Sequence, residues 1–315
     1  MKLHKKHMAL AAALAFTAII LLQIRQDIPT EVLKAKYSTP ASKYITIAGA
    51  NLHYRDEGQG SPILLLHGTA ASLHTWDGWA SVLSKKHRVL RLDLPGFGLT
   101  GRNQTDTYTI AYYSDLVGQF MDRLGVDKAH IAGSSLGGQI AYDFAATHPE
   151  RVQKLILISP TGVTNANDKN ISIPFRLAQT PVLRESLKYI TPRFIVENSL
   201  KEVYGDDSRL SEEAVTLSHD LLLHKGNREA FILRMNTVDA ANLSKLAQVQ
   251  APTLILWGEA DAWIPVTNAA RFLQDIKGAK LKTYAGAGHI PMEELPQETV
   301  NDALIFLGSE VVATK

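Results

Sequence analysis

The sequence contains no cysteine among its 315 residues. This absence excludes a disulfide framework, a thiolate metal site and a cysteine nucleophile. A strong charge of one sign is also missing, because 33 basic and 31 acidic residues give a net charge of only +2. The basic excess lies before residue 28, and no basic face of the kind that binds nucleic acid is recognisable after it. We therefore expect no nucleic-acid partner, and we predict neither a metal nor a cofactor.

Long hydrophobic runs are absent except at the N-terminus, where Met8 to Leu22 forms one run behind three lysines. The small residues that a signal peptidase needs do not follow it. An uncleaved transmembrane helix is therefore favoured, and a cleaved signal peptide with secretion of the rest, or a merely apolar tail, remains as an alternative. Positive charge before the run predicts a membrane-anchored protein whose catalytic part is exported to the periplasmic or extracellular side. We assign residues 1–25 to this signal anchor and residues 26–43 to a polar linker.

Short apolar runs alternate with amphipathic stretches from Tyr44 onward, a pattern typical of an α/β fold with a mostly parallel sheet and helices on both faces. This core is predicted to comprise residues 44–160 and 252–315. The predicted strands are 44–47, 52–55, 63–66, 89–92, 129–133, 155–158, 253–257 and 281–284, and the predicted helices are 76–85, 110–124, 136–147, 266–276 and 296–307.

Residues 161–251 interrupt this alternation with several helix signals and no strand-like run. Pro192 after Thr191, and Ser211 before two glutamates, predict helix starts. The apolar side chains of this insertion exceed what one thin layer can hide from water: Phe175, Leu177, Leu183, Phe194, Ile195 and Val196. We interpret the insertion as a helical cap that turns part of its apolar surface toward a ligand cleft.

A candidate nucleophile lies in the run Gly-Ser-Ser-Leu-Gly at residues 133–137. A predicted strand precedes the run and a predicted helix follows it, the context in which a serine sits on a strained turn with its hydroxyl exposed. The N-terminus of the following helix favours developing negative charge. Gly133 and Gly137 make room on the two sides of the turn. Ser134 is a competing hydroxyl, but the spacing to both glycines selects Ser135.

A serine nucleophile needs a general base, and the base needs an orienting acid. Of the eleven histidines, His289 fits best, because it lies in a glycine-containing loop directly after the last predicted strand. Asp261 is the preferred acid, because it follows the preceding predicted strand. Glu259 and Asp93 are the alternatives, and Asp93 fits a turn anchor better. The chain order serine, aspartate, histidine is that of α/β-hydrolases and differs from the other two common serine-hydrolase folds.

An oxyanion hole requires two backbone donors near the nucleophile. The N–H of Leu136, which follows the serine, is the first. The N–H of Thr69 is the second candidate, because Gly68 before it permits a close approach. His67 in the same loop is expected to be a buried structural histidine.

Five ordered motifs between Tyr44 and Leu307 resemble those of the α/β-hydrolase superfamily with an inserted cap. They are Leu-Leu-His-Gly at 65–68, Asp-Leu-Pro-Gly-Phe-Gly at 93–98, Gly-Ser-Ser-Leu-Gly-Gly at 133–138, Trp-Gly-Glu-Ala-Asp at 257–261 and Gly-His-Ile-Pro-Met-Glu-Glu at 288–294. The resemblance implies an eight-stranded sheet with an antiparallel second strand and a cap between strands six and seven.

Within the superfamily the chain looks most like lipases and esterases. Ser135 excludes the groups that use an aspartate nucleophile, and Ile290 stands where carbon–carbon bond hydrolases tend to carry an aromatic residue. The predicted function is hydrolysis of small apolar carboxylic esters through an acyl-enzyme. The same three residues could instead cleave an amide, with Glu197 or Glu202 of the cap binding the substrate amine, or a carbon–carbon bond. A non-catalytic ligand-binding protein on this scaffold is a further alternative.

Overall fold

An eight-stranded sheet forms the centre of the computed structural model, which describes residues 25–163, 172–239 and 243–308. The strand order is β1-β2-β4-β3-β5-β6-β7-β8. Strand β2 is antiparallel to both neighbours and the other pairs are parallel, which confirms the expected fold. The strands are β1 Ser42–Ile47, β2 Ala50–Glu57, β3 Ser61–Leu66, β4 His87–Leu92, β5 Ala129–Ser134, β6 Val152–Ile158, β7 Thr253–Gly258 and β8 Lys280–Tyr284.

Helices cover both faces of the sheet. Successive side chains of a strand point to opposite faces, so Ile63 and Leu65 pack with Trp79 in one hydrophobic cluster, whereas Leu64 and Leu66 belong to the other. Because both faces are buried, the central strands are continuous apolar runs. Helix α1 Thr30–Tyr37 precedes the sheet in the chain. The helices that accompany the sheet are α2 Asp77–Leu83, α3 Ile110–Arg123, α4 Leu136–Thr147, α10 Ala269–Asp275, α11 Pro291–Glu294 and α12 Pro296–Leu307.

The cap is inserted between β6 and β7, as expected from the resemblance. Its helices are α5 Ile173–Gln179, α6 Pro181–Leu187, α7 Arg193–Val203, α8 Glu212–Leu222 and α9 Asn227–Asn236. The hydroxyl of Ser211 accepts a hydrogen bond from the N–H of Ala214 at 3.1 Å, so it caps α8 as its sequence context indicated. Pro192 immediately precedes α7.

The segment expected to be a polar linker, residues 26–43, is folded against the cap. It contains α1, whose Leu33 is 1% exposed and packs with Leu99 and Leu221. The hydroxyl of Tyr37 donates to Asp220 of α8 at 2.7 Å. One buried leucine and polar contacts to α8 therefore hold a segment whose overall polarity suggested a spacer.

Residues 1–24 of the predicted anchor fall outside the described residues. In the part of the chain that the structure describes, no helix combines the length and hydrophobicity needed to cross a bilayer.

Asp93 joins the loops that follow β3 and β4. It is fully buried, and its Oδ1 accepts a hydrogen bond from the N–H of Leu73 at 2.7 Å. Its Oδ2 accepts from the N–H of Leu99 at 2.8 Å and from Nδ1 of His53 at 2.7 Å. Burial alone would raise the pKa of Asp93, but the neighbouring histidines, His53 first, lower it far below its ordinary value. Asp93 is thus an ionised anchor of two loops.

We expect Asp93→Asn to destabilise the fold by about 1–3 kcal/mol, because an amide nitrogen cannot accept the hydrogen bonds that the carboxylate accepts. Urea unfolding measures this loss, with Asp115→Asn, an exposed change on α3, as the matched control. The lowered pKa means that Asp93 stabilises the fold at neutral pH and less below about pH 4. The difference between variant and wild type should therefore shrink in acid. Equal stability of both variants at neutral pH would contradict this role.

Candidate active site

Ser135 occupies a strained turn between β5 and α4, with φ of +53° and ψ of −116°. The surrounding glycines make this turn possible. A Cβ on Gly133 would lie 2.2 Å from the carbonyl oxygen of Gly137, and a Cβ on Gly137 would lie 2.2 Å from that of Leu66. Such backbone strain is maintained where a side chain must be held in one direction.

His289 and Asp261 meet at the ends of β8 and β7. Nδ1 of His289 donates to Oδ2 of Asp261 at 2.8 Å. Oδ1 of Asp261 accepts from the N–H groups of Trp263 and Ile264 at 2.9 and 2.8 Å, so the carboxylate is held by three donors. This arrangement orients the imidazole and fixes its tautomer.

The two alternative acids do not contact His289. Glu259 is exposed and accepts a hydrogen bond from the Thr283 hydroxyl at 2.7 Å. Asp93 holds the two loops described above. Only Asp261 of the three candidates is therefore placed to orient the histidine.

Ser135 and His289 line one cavity. Nε2 of His289 is buried and has no hydrogen-bond partner among the described residues, so it can accept a proton. Gly68 lies against the serine, because a Cβ placed on it would be 3.7 Å from Oγ of Ser135. Thr69 lines the cavity as well. The structure thus gathers the predicted nucleophile, base and oxyanion loop.

His67 holds the loop that contains Gly68 and Thr69 through two hydrogen bonds. It is fully buried, its Nδ1 donates to the carbonyl of Gly68 at 2.7 Å, and its Nε2 accepts from the N–H of Leu94 at 2.9 Å. Burial lowers the pKa of His67, which suits a neutral imidazole that donates at one nitrogen and accepts at the other.

The cavity wall above the serine is apolar and comes mainly from the cap. Helix α7 contributes one face, at the spacing of a buried helical stripe: Ile195, Val196, Ser199, Leu200 and Val203. Phe175, Phe231 and Trp263 add aromatic side chains. Phe194 and Leu183 do not line the cavity and are 57% and 45% exposed. The helical period of α7 could have separated Phe194 from Ile195 in the sequence.

No cluster of three histidine, aspartate or glutamate side chains able to hold a metal ion occurs in the described ranges.

Residues 61–296 match the alpha/beta hydrolase fold family. The chain belongs to this family. A 2-hydroxy-6-oxononadienedioate/2-hydroxy-6-oxononatrienedioate hydrolase of Comamonas testosteroni is 28% identical over 79% of this chain and 90% of its own length. The solved structure of a membrane phospholipase A, described as a bacterial virulence factor, is 25% identical, with a TM-score of 0.74 over 98% of each chain. A meta-cleavage product hydrolase of Pseudomonas fluorescens IP01 is 26% identical, with a TM-score of 0.74 over 84% of this chain and 97% of its own.

In this α/β-hydrolase, Glu294 ties the cap to the histidine loop, which the sequence did not reveal. Its Oε1 accepts from the N–H of Gly288 at 2.6 Å, and its Oε2 accepts from the N–H of Gly205, beyond α7, at 3.0 Å. The N–H of His289 donates to the carbonyl of Val203 at 2.7 Å. Burial raises the pKa of Glu294 and these backbone donors oppose that rise. The cap is therefore bonded directly to the loop that carries the histidine.

Arg228 of α9 lines the cavity and is another residue that the sequence did not single out. Its Nη2 donates to Asp27 at 2.7 Å and to the carbonyl of Arg25 at 2.9 Å. The side chain is 4% exposed, so the pairing with Asp27 offsets part of the cost of burying its charge.

Proposed function

We propose that this α/β-hydrolase is a serine hydrolase that cleaves carboxylic esters with apolar acyl chains. The supporting observation is the position of Ser135 and His289 at an apolar cavity built from cap helices. An acyl chain that enters such a cavity gains about 0.8 kcal/mol for each buried methylene. The substrate is thereby held with its carbonyl carbon at the serine.

The hydrogen bond between His289 and Asp261 supports the following proposed mechanism. Oγ of Ser135 attacks the ester carbonyl carbon while Nε2 of His289 takes its proton, and Asp261 stabilises the resulting imidazolium. The N–H groups of Leu136 and Thr69 hold the oxyanion. Collapse of the tetrahedral intermediate breaks the ester C–O bond, and His289 protonates the leaving alcohol. Water then attacks the acyl-enzyme by the same route and releases the acid.

Carbon–carbon bond hydrolysis is the second candidate, because relatives at 28% identity are named as hydrolases of 2-hydroxy-6-oxo compounds. The named substrates contain no ester or amide bond, so their hydrolysis must break a carbon–carbon bond. Those names describe dienoates and dienedioates, which bear carboxylates. In this chain the cationic side chain lining the described cavity is Arg228, which already pairs with Asp27, and the carboxyl group of Glu293 lines the same cavity. An anionic substrate therefore meets less favourable charge here than an uncharged ester does. The likeness to the membrane phospholipase A also supports the ester proposal.

Replacing any member of the proposed triad should nearly abolish ester hydrolysis. We expect Ser135→Ala, His289→Ala and Asp261→Asn each to lower kcat for p-nitrophenyl butyrate about 10⁴-fold or more, with double variants no worse than the worst single one. Glu259→Gln is the control for Asp261→Asn and should retain activity. The reverse result for this pair would identify Glu259 as the acid. Faster turnover of a 2-hydroxy-6-oxo-dienoate than of any ester would instead establish the second candidate.

The cap should set the acyl preference through its inward face. Ile195→Ser should raise KM for p-nitrophenyl octanoate several-fold more than for the acetate, because the polar side chain replaces apolar surface along the cavity. The neighbouring Phe194 is exposed and does not line the cavity, so Phe194→Ser provides the matched control. Equal changes for both esters in Ile195→Ser, or a chain-length effect in Phe194→Ser, would place acyl selection elsewhere.

We also propose that residues 1–25 anchor the hydrolase in a membrane with its catalytic part exported. The N–H of Arg25 donates to the carbonyl of Tyr189 at 2.8 Å, so the described chain starts beside α6. Several large apolar side chains are exposed on the cap in this part of the sequence: Ile173, Val182, Leu183, Tyr189 and Phe194. Such a surface is compatible with contact to lipid.

An anchored hydrolase should remain in the membrane fraction after a high-salt wash, because salt screens ionic attachment and leaves an apolar span unaffected. N-terminal sequencing of the purified protein should find the chain uncleaved. A variant that lacks residues 1–24 should move to the soluble fraction with its esterase activity intact. A soluble wild type that begins near residue 26 would support the cleaved signal peptide instead.

A further inference from the structure

Three polar side chains form a small cluster in the apolar cavity: Thr75, Tyr204 and Glu293. They come from three separate elements. Thr75 lies in the 3-10 helix Leu73–Trp76, which follows the oxyanion loop in the chain, Tyr204 directly follows α7, and Glu293 lies in the short α11. The hydroxyl of Thr75 donates to Oε1 of Glu293, and the hydroxyl of Tyr204 donates to Oε2 at 3.0 Å. None of the three has a role in the acyl-transfer steps.

The carboxyl group of Glu293 keeps unused acceptor capacity. A carboxyl group has more acceptor positions than the two that the hydroxyls occupy, one on each oxygen. Burial raises the pKa of Glu293, and the hydrogen bonds from Thr75 and Tyr204 oppose that rise. Burial and the nearby carboxylate raise the pKa of Tyr204, which therefore stays protonated and donates. The cluster can thus accept a further hydrogen bond from a ligand.

The cluster lies on the histidine side of the cavity. Glu293 is four residues beyond His289, and Tyr204 follows Val203, whose carbonyl accepts the N–H of His289 at 2.7 Å. In ester hydrolysis the histidine protonates the leaving alcohol, so the alcohol portion of the substrate must sit beside it. The apolar stripe of α7 provides room for the acyl portion.

We propose that Thr75, Tyr204 and Glu293 form an alcohol-side subsite that binds a free hydroxyl of the leaving group. The hydrolase would then prefer acyl esters of polyols such as glycerol over esters of simple alkanols. This inference rests on the proposed ester hydrolysis and adds the class of alcohol to it. The competing explanation is that the cluster only clamps the cap to the core, which would affect all esters alike.

The test compares glycerol monobutyrate with propyl butyrate, which share the acyl chain and the three-carbon alcohol skeleton. We expect the wild type to favour the glycerol ester about tenfold in kcat/KM, the size of one hydrogen bond. Glu293→Gln and Tyr204→Phe should bring this ratio close to one. Glu213→Gln makes the same chemical change on an exposed cap residue and should leave the ratio unchanged. Thermal unfolding verifies that each variant is folded.

Equal wild-type kcat/KM for the two esters would overturn the subsite, and so would variants that lose activity on both esters in equal proportion. Tyr204→Phe keeps the test decisive if Glu293→Gln does not fold. Failure of the wild type to cleave either ester, together with no labelling of Ser135 by a fluorophosphonate, would overturn ester hydrolysis itself. That result differs from cleavage of both esters without preference, which removes the subsite alone.

Discussion

The close approach of three backbone segments at Gly205, Gly258 and Gly288 is the constraint on which the site depends. A Cβ on Gly258 would lie 2.0 Å from the carbonyl oxygen of Gly288, and a Cβ on Gly288 would lie 2.3 Å from that of Val203. The loops after β7 and β8 can therefore touch, and the N–H of Ala260 donates to the carbonyl of Ala287 at 2.9 Å. This contact brings Asp261 within hydrogen-bonding distance of His289. A larger residue at either loop glycine would separate Asp261 from His289.

Much of the fold could be predicted from the sequence because its signals are local. The apolar runs of the central strands, the glycine-flanked turn at Ser135 and the loops at Asp261 and His289 are read from neighbouring residues. The number of strands, the antiparallel second strand and the position of the cap came from the resemblance, whereas the order of the strands came from the structure. The choice of Asp261 over Glu259 agrees with the geometry, since the loop directs Glu259 to Thr283 on the surface.

Features that depend on contacts between distant segments could not be predicted in this way. The segment 26–43 is polar overall, and only its packing against α8 shows why Leu33 is buried. The role of Glu294 depends on hydrogen bonds from the N–H groups of Gly205 and Gly288, and nothing in its own sequence context indicates them. The burial of Arg228 likewise depends on its pairing with Asp27, which lies 201 residues away in the chain.

The contact between the segments at Gly205, Gly258 and Gly288 also limits which parts of the cavity wall can change without moving His289. On α7, Ile195, Val196 and Leu200 line the cavity ahead of the C-terminal end of the helix, so their substitution changes the cavity wall. At its C-terminal end, the carbonyl of Val203 holds the N–H of His289, and Gly205 shares Glu294 with Gly288. A change there moves the histidine as well as the wall. Under the proposed mechanism, variation at Ile195 therefore changes substrate binding, whereas variation between Val203 and Gly205 changes both binding and proton transfer by His289.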